Sequence, residues 1–166
     1  MQENPGNAAA DKFIRIMTHP VKSRMFMLFR LPAAFFSGLA IKSLNEEAAT
    51  VTVPYQWFSK NPFRSTYFAC LAMAAEMSTG LLAMMQIYQR KPHVSMLVVK
   101  LEATYYKKAT GITSFTCNEG AAFRKAVNDC IADNQSRTLT AVSQGVNAQG
   151  ELVASFSFTW SFKAKS

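Results

Sequence analysis

Residues 67–86 read YFACLAMAAEMSTGLLAMMQ, twenty positions in which Glu76 is the one Asp, Glu, Lys, Arg or His. A helix of this composition has no polar stripe to offer water, so it is either the centre of a folded core or a membrane span. Both surroundings penalise an unpaired carboxylate, so Glu76 has to be hydrogen-bonded, protonated or functional. The run is also rich in small residues, Ala69, Ala72, Ala75, Ser78, Thr79, Gly80 and Ala83, which let another layer approach closely. Met73, Met77, Met84 and Met85 read as core filling, with a malleable apolar pocket as the alternative.

The sequence around the run favours the core over the membrane. Residues 152–162 alternate Leu152, Ala154, Phe156, Phe158, Trp160 and Phe162 with Val153, Ser155, Ser157, Thr159 and Ser161, the period of a strand with one buried face. Residues 136–146 pair with them through an Asn147-Ala148-Gln149-Gly150 turn. A second hairpin is expected from 39–45 and 49–57 around Glu46-Glu47, with Pro54 marking an edge or bulge. Residues 95–107 form a further strand with Leu97, Val99, Leu101, Ala103 and Tyr105 on one face, and ITSFTCN follows the Thr110-Gly111 turn. Residues 119–133 read as a helix capped by Asn118, with Phe123, Ala126, Val127, Cys130 and Ile131 as its apolar stripe.

The first forty residues are helical in pattern. The polar start MQENPGNAAADK, without a secretory apolar core, reads as frayed or tag-like. Met25–Ile41, broken by Arg30 and Pro32, reads as a helix packed on the core rather than an interfacial anchor. The reading is an α+β chain with about six antiparallel strands around one long apolar helix. It divides into an N-terminal helical extension, 1–34, and a main domain, 35–166.

At 166 residues and 49% hydrophobic content, one core is enough. The net charge of +8 is compatible with an anionic partner, whether nucleic acid, an acidic membrane surface or a phosphate-bearing small molecule. Its lysines and arginines (Lys12, Arg15, Lys42, Lys60, Lys107, Lys108, Arg137) are scattered rather than blocked, which argues against nucleic acid and suits a phosphate-bearing small molecule. Cys70, Cys117 and Cys130 form no CxxC pair, pointing to a reducing cytoplasm and no disulfide framework. His19 and His93 stand too far apart for a zinc cluster, so no metal is expected. Cys70 has no histidine near it in sequence to activate it as a nucleophile.

The run Asn61-Pro62-Phe63-Arg64-Ser65, followed fifteen positions after Asn61 by Glu76, resembles the active-site helix of hotdog-fold acyl-thioesterases. It is similar to the phenylacetate-pathway branch in that spacing. NPFRSTYFACLAMAAEMSTGLL is more similar still to a less characterised hotdog family of thioesterase-like proteins, and the resemblance spans about 35–164. It implies a curved sheet wrapped around the helix and a homodimer, or a tetramer built from one. It also implies hydrolysis of acyl-coenzyme A or acyl carrier protein thioesters without a cofactor. Glu76 would be base or nucleophile, and Asn61 would orient the water or the carboxylate. Backbone N–H groups at Tyr67 and Phe68 would hold the thioester oxygen, with Tyr106 or Lys107 arriving from a second subunit. The chain departs from the family by carrying Tyr67-Phe68-Ala69 where many members have His-Gly-Gly. A backbone donor survives that exchange, but the pocket shape changes. Lys107-Lys108 reads as a solvated strand end or a contact for coenzyme A phosphate. A non-catalytic protein binding an acyl group or a partner is the alternative. A hotdog dehydratase would need a His-Phe-Pro context that neither His19 nor His93 has.

Overall fold

A computed structural model describes residues 5–165, with side chains from residue 8 onward. Three helices come first: α1 (Pro5–Met17), α2 (Pro20–Arg30) and α3 (Pro32–Phe36). The hairpin β1 (Ala40–Leu44) and β2 (Ala49–Val53) follows, then a 3-10 turn (Trp57–Ser59) and the long helix α4 (Phe68–Ile87). β3 (Val94–Tyr105), β4 (Thr113–Cys117), α5 (Gly120–Asp133), β5 (Arg137–Val146) and β6 (Leu152–Ala164) complete the chain. The strands form one sheet in the order β1-β2-β4-β5-β6-β3, every neighbour antiparallel.

α4 is long and apolar enough to cross a membrane, yet it lies inside the fold, in contact with β2, β3, β4, β5 and β6. The wrap buries Leu71, Ala74, Ala75, Met77, Leu81, Leu82, Ala83 and Met85 against Val51, Val53, Phe115, Ala141, Phe156, Phe158 and Trp160. This is the α+β hotdog arrangement that the resemblance implies. Because α4 is apolar all round, hydrophobic burial alone does not select its rotation about its own axis. Buried polar ties select it. Ser78 Oγ shares a 2.7 Å hydrogen bond with Ser143 Oγ of β5, and Trp160 Nε1 of β6 donates to Thr79 Oγ1 at 3.0 Å.

Several local expectations are corrected. Residues 1–4 lie outside the described residues, but 5–12 are helical with Ala10 buried, so that part of the start is not frayed. Met25–Ile41 is not one helix: α2 stops at Arg30, because Pro32 disfavours a helical Leu31 and then opens α3. β2 ends at Val53 rather than Trp57, since Pro54 cannot donate to the ladder, and Trp57 is 78% exposed. The N-cap of α5 is Glu119, one residue after Asn118. Phe13 and Met17 of α1 are buried in the main core, with the Phe13 ring 5.3 Å from that of Tyr88.

β3 is one edge of the sheet, β1 the other, and a bulge at Val98–Lys100 shifts the register of β3. Its expected apolar face is outside this chain's core. Leu97 is 66% exposed, and Val99, Leu101 and Tyr105 are exposed as well, whereas Val94 is buried and Met96 and Val98 pack on the core.

Candidate active site

The loop before α4 is built by Asn61. Its Oδ1 accepts hydrogen bonds from Phe63 N (2.9 Å), Ser65 N (3.3 Å) and Ser65 Oγ (3.2 Å). Asn61 N donates to Ser65 O (2.9 Å) and Arg64 N to Asn61 O (3.2 Å), closing the turn in which Arg64 takes a left-handed φ of 58°. Asn residues favour such turns because the side chain mimics a backbone acceptor. Asn61 thereby commits its oxygen to the loop, and its Nδ2 makes no hydrogen bond among the described residues.

This loop, the α4 N-terminus and the chain leaving β3 border an open cavity of about 820 Å³. Asn61, Tyr67, Phe68, Tyr106 and Lys107 all line it, so one chain brings together five of the six candidate site residues. Tyr106 and Lys107, expected from a second subunit, reach the α4 N-terminus within the chain because both backbone N–H groups donate to Val153 O, at 2.8 and 3.2 Å. Lys107 Nζ is paired with Glu151 Oε1 at 2.5 Å, and that lysine together with Asn147 pulls the Glu151 pKa below the usual carboxylate range.

Of the two expected backbone donors, the Tyr67 N–H is already taken: it donates to Ser59 O at 2.7 Å. The N–H groups of Phe68 and Ala69, in the first turn of α4, have no acceptor among the described residues. They carry the unmatched donors that every helix start leaves, with the positive end of the helix dipole behind them. The Tyr67 and Phe68 rings meet edge-to-face at 4.9 Å and form a wall of the cavity without closing it.

Glu76 lies elsewhere. It is eight residues beyond Phe68, about 12 Å along the axis at about 1.5 Å per residue, and opens on a second cavity of about 180 Å³. Phe26, Arg30 and Leu31 line that cavity from the N-terminal side, and Met77, Gly80, Leu81 and Met84 line it from α4. The Glu76 carboxylate joins no ion pair among the described residues, and burial raises its pKa above the ordinary 4.5. Neither Ser78 nor Thr79 satisfies it. Their hydroxyls bond instead to the backbone oxygens of Ala75 (2.8 Å) and Glu76 (2.9 Å).

Two features of the site carry no motif in the sequence. Thr66 is 4% exposed, lines the larger cavity, and has an Oγ1 without a hydrogen-bond partner among the described residues. A lone Thr before a helix gives no signal of that. Gly80 makes room for the carboxylate: a Cβ there would sit 3.2 Å from Glu76 Oε1 and 3.5 Å from the Trp160 ring. Here a signal does exist, since a glycine in a helix interior costs about 1 kcal/mol relative to alanine and so asks for a reason.

A six-stranded antiparallel sheet wrapped around one long apolar helix defines a protein of the hotdog class by fold. The chain belongs to the family described as a domain of unknown function, DUF4442, whose profile matches residues 22–162. Solved structures share the fold. A Pseudomonas aeruginosa protein of unknown function, suggested to be a thioesterase, is 17% identical over 90% of this chain and 99% of its own, with a TM-score of 0.74. A Shewanella oneidensis protein, also provisionally described as a thioesterase, is 10% identical over 93% and 99%, with a TM-score of 0.70. A Haemophilus influenzae thioesterase is 10% identical over 93% and 90%, with a TM-score of 0.57. No curated protein matches the chain by sequence.

Proposed function

We propose that this chain is an acyl-thioester hydrolase acting on acyl-coenzyme A or acyl carrier protein thioesters as a homodimer. The observation that carries the reading is Glu76, an unpaired carboxylate with a raised pKa in the middle of a core helix, facing a cavity. Thioester cleavage needs a group to activate water and donors for the charge that develops on the carbonyl oxygen. Glu76 takes the proton from water as the hydroxyl adds to the acyl carbon. The N–H groups of Phe68 and Ala69 receive the oxyanion. Collapse of the tetrahedral intermediate breaks the C–S bond, and the thiolate leaves to take up the proton, giving a thiol and a carboxylic acid. Direct attack by the Glu76 carboxylate, with an anhydride then hydrolysed, uses the same groups.

About 12 Å separates Glu76 from these donors along one α4, too far for both to reach one carbonyl. Two copies related by a two-fold axis, with antiparallel α4 helices, bring the helix start of one to Glu76 of the other. The exposed apolar edge of β3 supports that dimer, because a twelve-residue strand paired on one side only, with Leu97, Val99 and Leu101 exposed, is a template for pairing. Lys60, Lys107 and Lys108 around the larger cavity, beside the rings of Phe63, Tyr67 and Tyr106, suit the phosphates and base of a nucleotide-bearing thiol. The Nδ2 of Asn61 and the Oγ1 of Thr66 are further donors for the substrate.

The test is hydrolysis of short, aromatic and long acyl-coenzyme A substrates by native protein and Glu76→Gln. Turnover by the native protein and a loss of at least about a hundredfold in Glu76→Gln is expected. No turnover on any substrate, or equal turnover by both proteins, sinks the catalytic role of Glu76.

A further inference from the structure

We propose that the cavity beside Glu76 is the acyl site, and that helix α2 of the N-terminal extension sets the length of acyl group it admits. The inference rests on the hydrolase reading and adds the substrate's size and the element that measures it.

The cavity is a gap between helices. α2 packs mainly on α3 and α1, and its Phe26 and Arg30 face the cavity across from Met77, Gly80, Leu81 and Met84 of α4. Phe26 and Leu31 form its outer wall, Ile41 of β1 one side, and Met77, Leu81 and Met84 the α4 wall. These are hydrocarbon or thioether surfaces, with two charged groups among the lining residues: Glu76, and the exposed Arg30. With Glu76 on the wall of an apolar slot, the acyl carbon has to stand beside that carboxylate if its chain is to lie in the slot.

Volume bounds the chain. An apolar cavity of about 150 Å³ holds one benzene-sized group. A cavity of about 180 Å³ therefore takes an acyl tail of roughly six to seven carbons, or one aromatic ring. The walls differ in how far they can yield. Met77 and Leu81 are buried in the main core, while Phe26 is half-buried and Leu31 is 38% exposed, so the limit is set on the α2 side. The methionines of α4 divide accordingly: Met77 and Met84 line the acyl slot, and Met85 fills the core.

Two measurements test this. The first is hydrolysis of unbranched acyl-coenzyme A thioesters from two to sixteen carbons by native protein, Leu31→Ala, Phe26→Ala and Met84→Trp. The second is calorimetric binding of the matching S-alkyl-coenzyme A thioethers, which cannot be hydrolysed. For the native protein, thioether affinity is expected to rise about threefold to fourfold per methylene up to roughly six or seven carbons and then level off. Leu31→Ala and Phe26→Ala move the plateau and the hydrolysis optimum to longer chains, and Met84→Trp moves both to shorter ones. Leu31→Ala removes a partly exposed side chain, so it remains informative if Phe26→Ala fails to fold. Hydrolysis whose length profile none of the variants shifts overturns the acyl site and leaves the hydrolase reading standing. Thioether binding with the expected plateau but no hydrolysis upholds the site and overturns the hydrolase reading. Neither binding nor hydrolysis overturns both.

Discussion

Glu76 is held in a state that costs stability when it ionises. Burial raises its pKa in the folded protein above 4.5, so the folded state binds the proton more tightly than the unfolded chain does. Stability from this group is thus fully present below the unfolded carboxylate pKa and is lost as pH rises through the folded one. Glu76→Gln is expected to be more stable than native protein at pH 7, with the gap closing as pH falls through the unfolded carboxylate pKa. Urea titrations across that pH range check it, and a gain that persists undiminished at low pH contradicts the buried-charge account. The acid limb of kcat/KM should fall at a pH above the ordinary carboxylate range, since the base must be ionised. Gly80→Ala separates stability from chemistry at the same place. Alanine favours the helix by up to about 1 kcal/mol, but the new methyl meets Glu76 Oε1 at 3.2 Å. Unchanged or raised Tm together with a kcat lowered about tenfold at near-constant KM is expected. Equal kcat would mean the carboxylate does not depend on that space.

The elements of the sheet were readable one by one, because a period of two needs no partner to be recognised. β6 keeps Phe156, Phe158, Trp160 and Phe162 buried as its alternation requires, and the β1–β2 hairpin turns where Asn45 Oδ1 accepts from Glu47 N and Ala48 N, at 2.9 and 2.8 Å. What α4 does with its rotation was not readable, because its apolar surface is continuous. The Trp160–Thr79 bond is one of the ties that decide it. Trp160→Phe, which keeps most of the ring volume and removes the Nε1 donor, should lower stability by roughly 1–2 kcal/mol in urea unfolding. A smaller loss would place the decision with Ser78–Ser143 and with packing. Pro32 and Pro54 were visible in the sequence as interruptions, and each ends an element within two residues of itself.

For the whole molecule the open edge of β3 is the unfinished surface. If two copies pair along it, charges placed on its exposed face block association. Leu97→Lys/Leu101→Lys is expected to sediment as a folded monomer, with hydrolysis lost because the helix start and Glu76 then act alone. A monomer with full activity would refute the shared site, and a variant that remains a dimer would place the interface elsewhere. Part of the +8 charge is gathered only on folding, when Lys60 and the Lys107-Lys108 pair, far apart in the chain, meet at one cavity.

Read alone, the sequence determined the helix that must be buried, the strands that bury it, and the one carboxylate that burial has to explain. Those follow from periodicity and from the cost of desolvating charge, both local to a segment. The spacing of Asn61 and Glu76 named candidates but not their company. Only the tertiary structure decided that Asn61, Tyr67, Phe68, Tyr106 and Lys107 face one cavity while Glu76 faces another. It also decided that the Tyr67 N–H is already used and that α2 borders the carboxylate. A helix separates residues eight positions apart by about 12 Å, and which surfaces come to share a cavity depends on chain crossings that no single segment encodes.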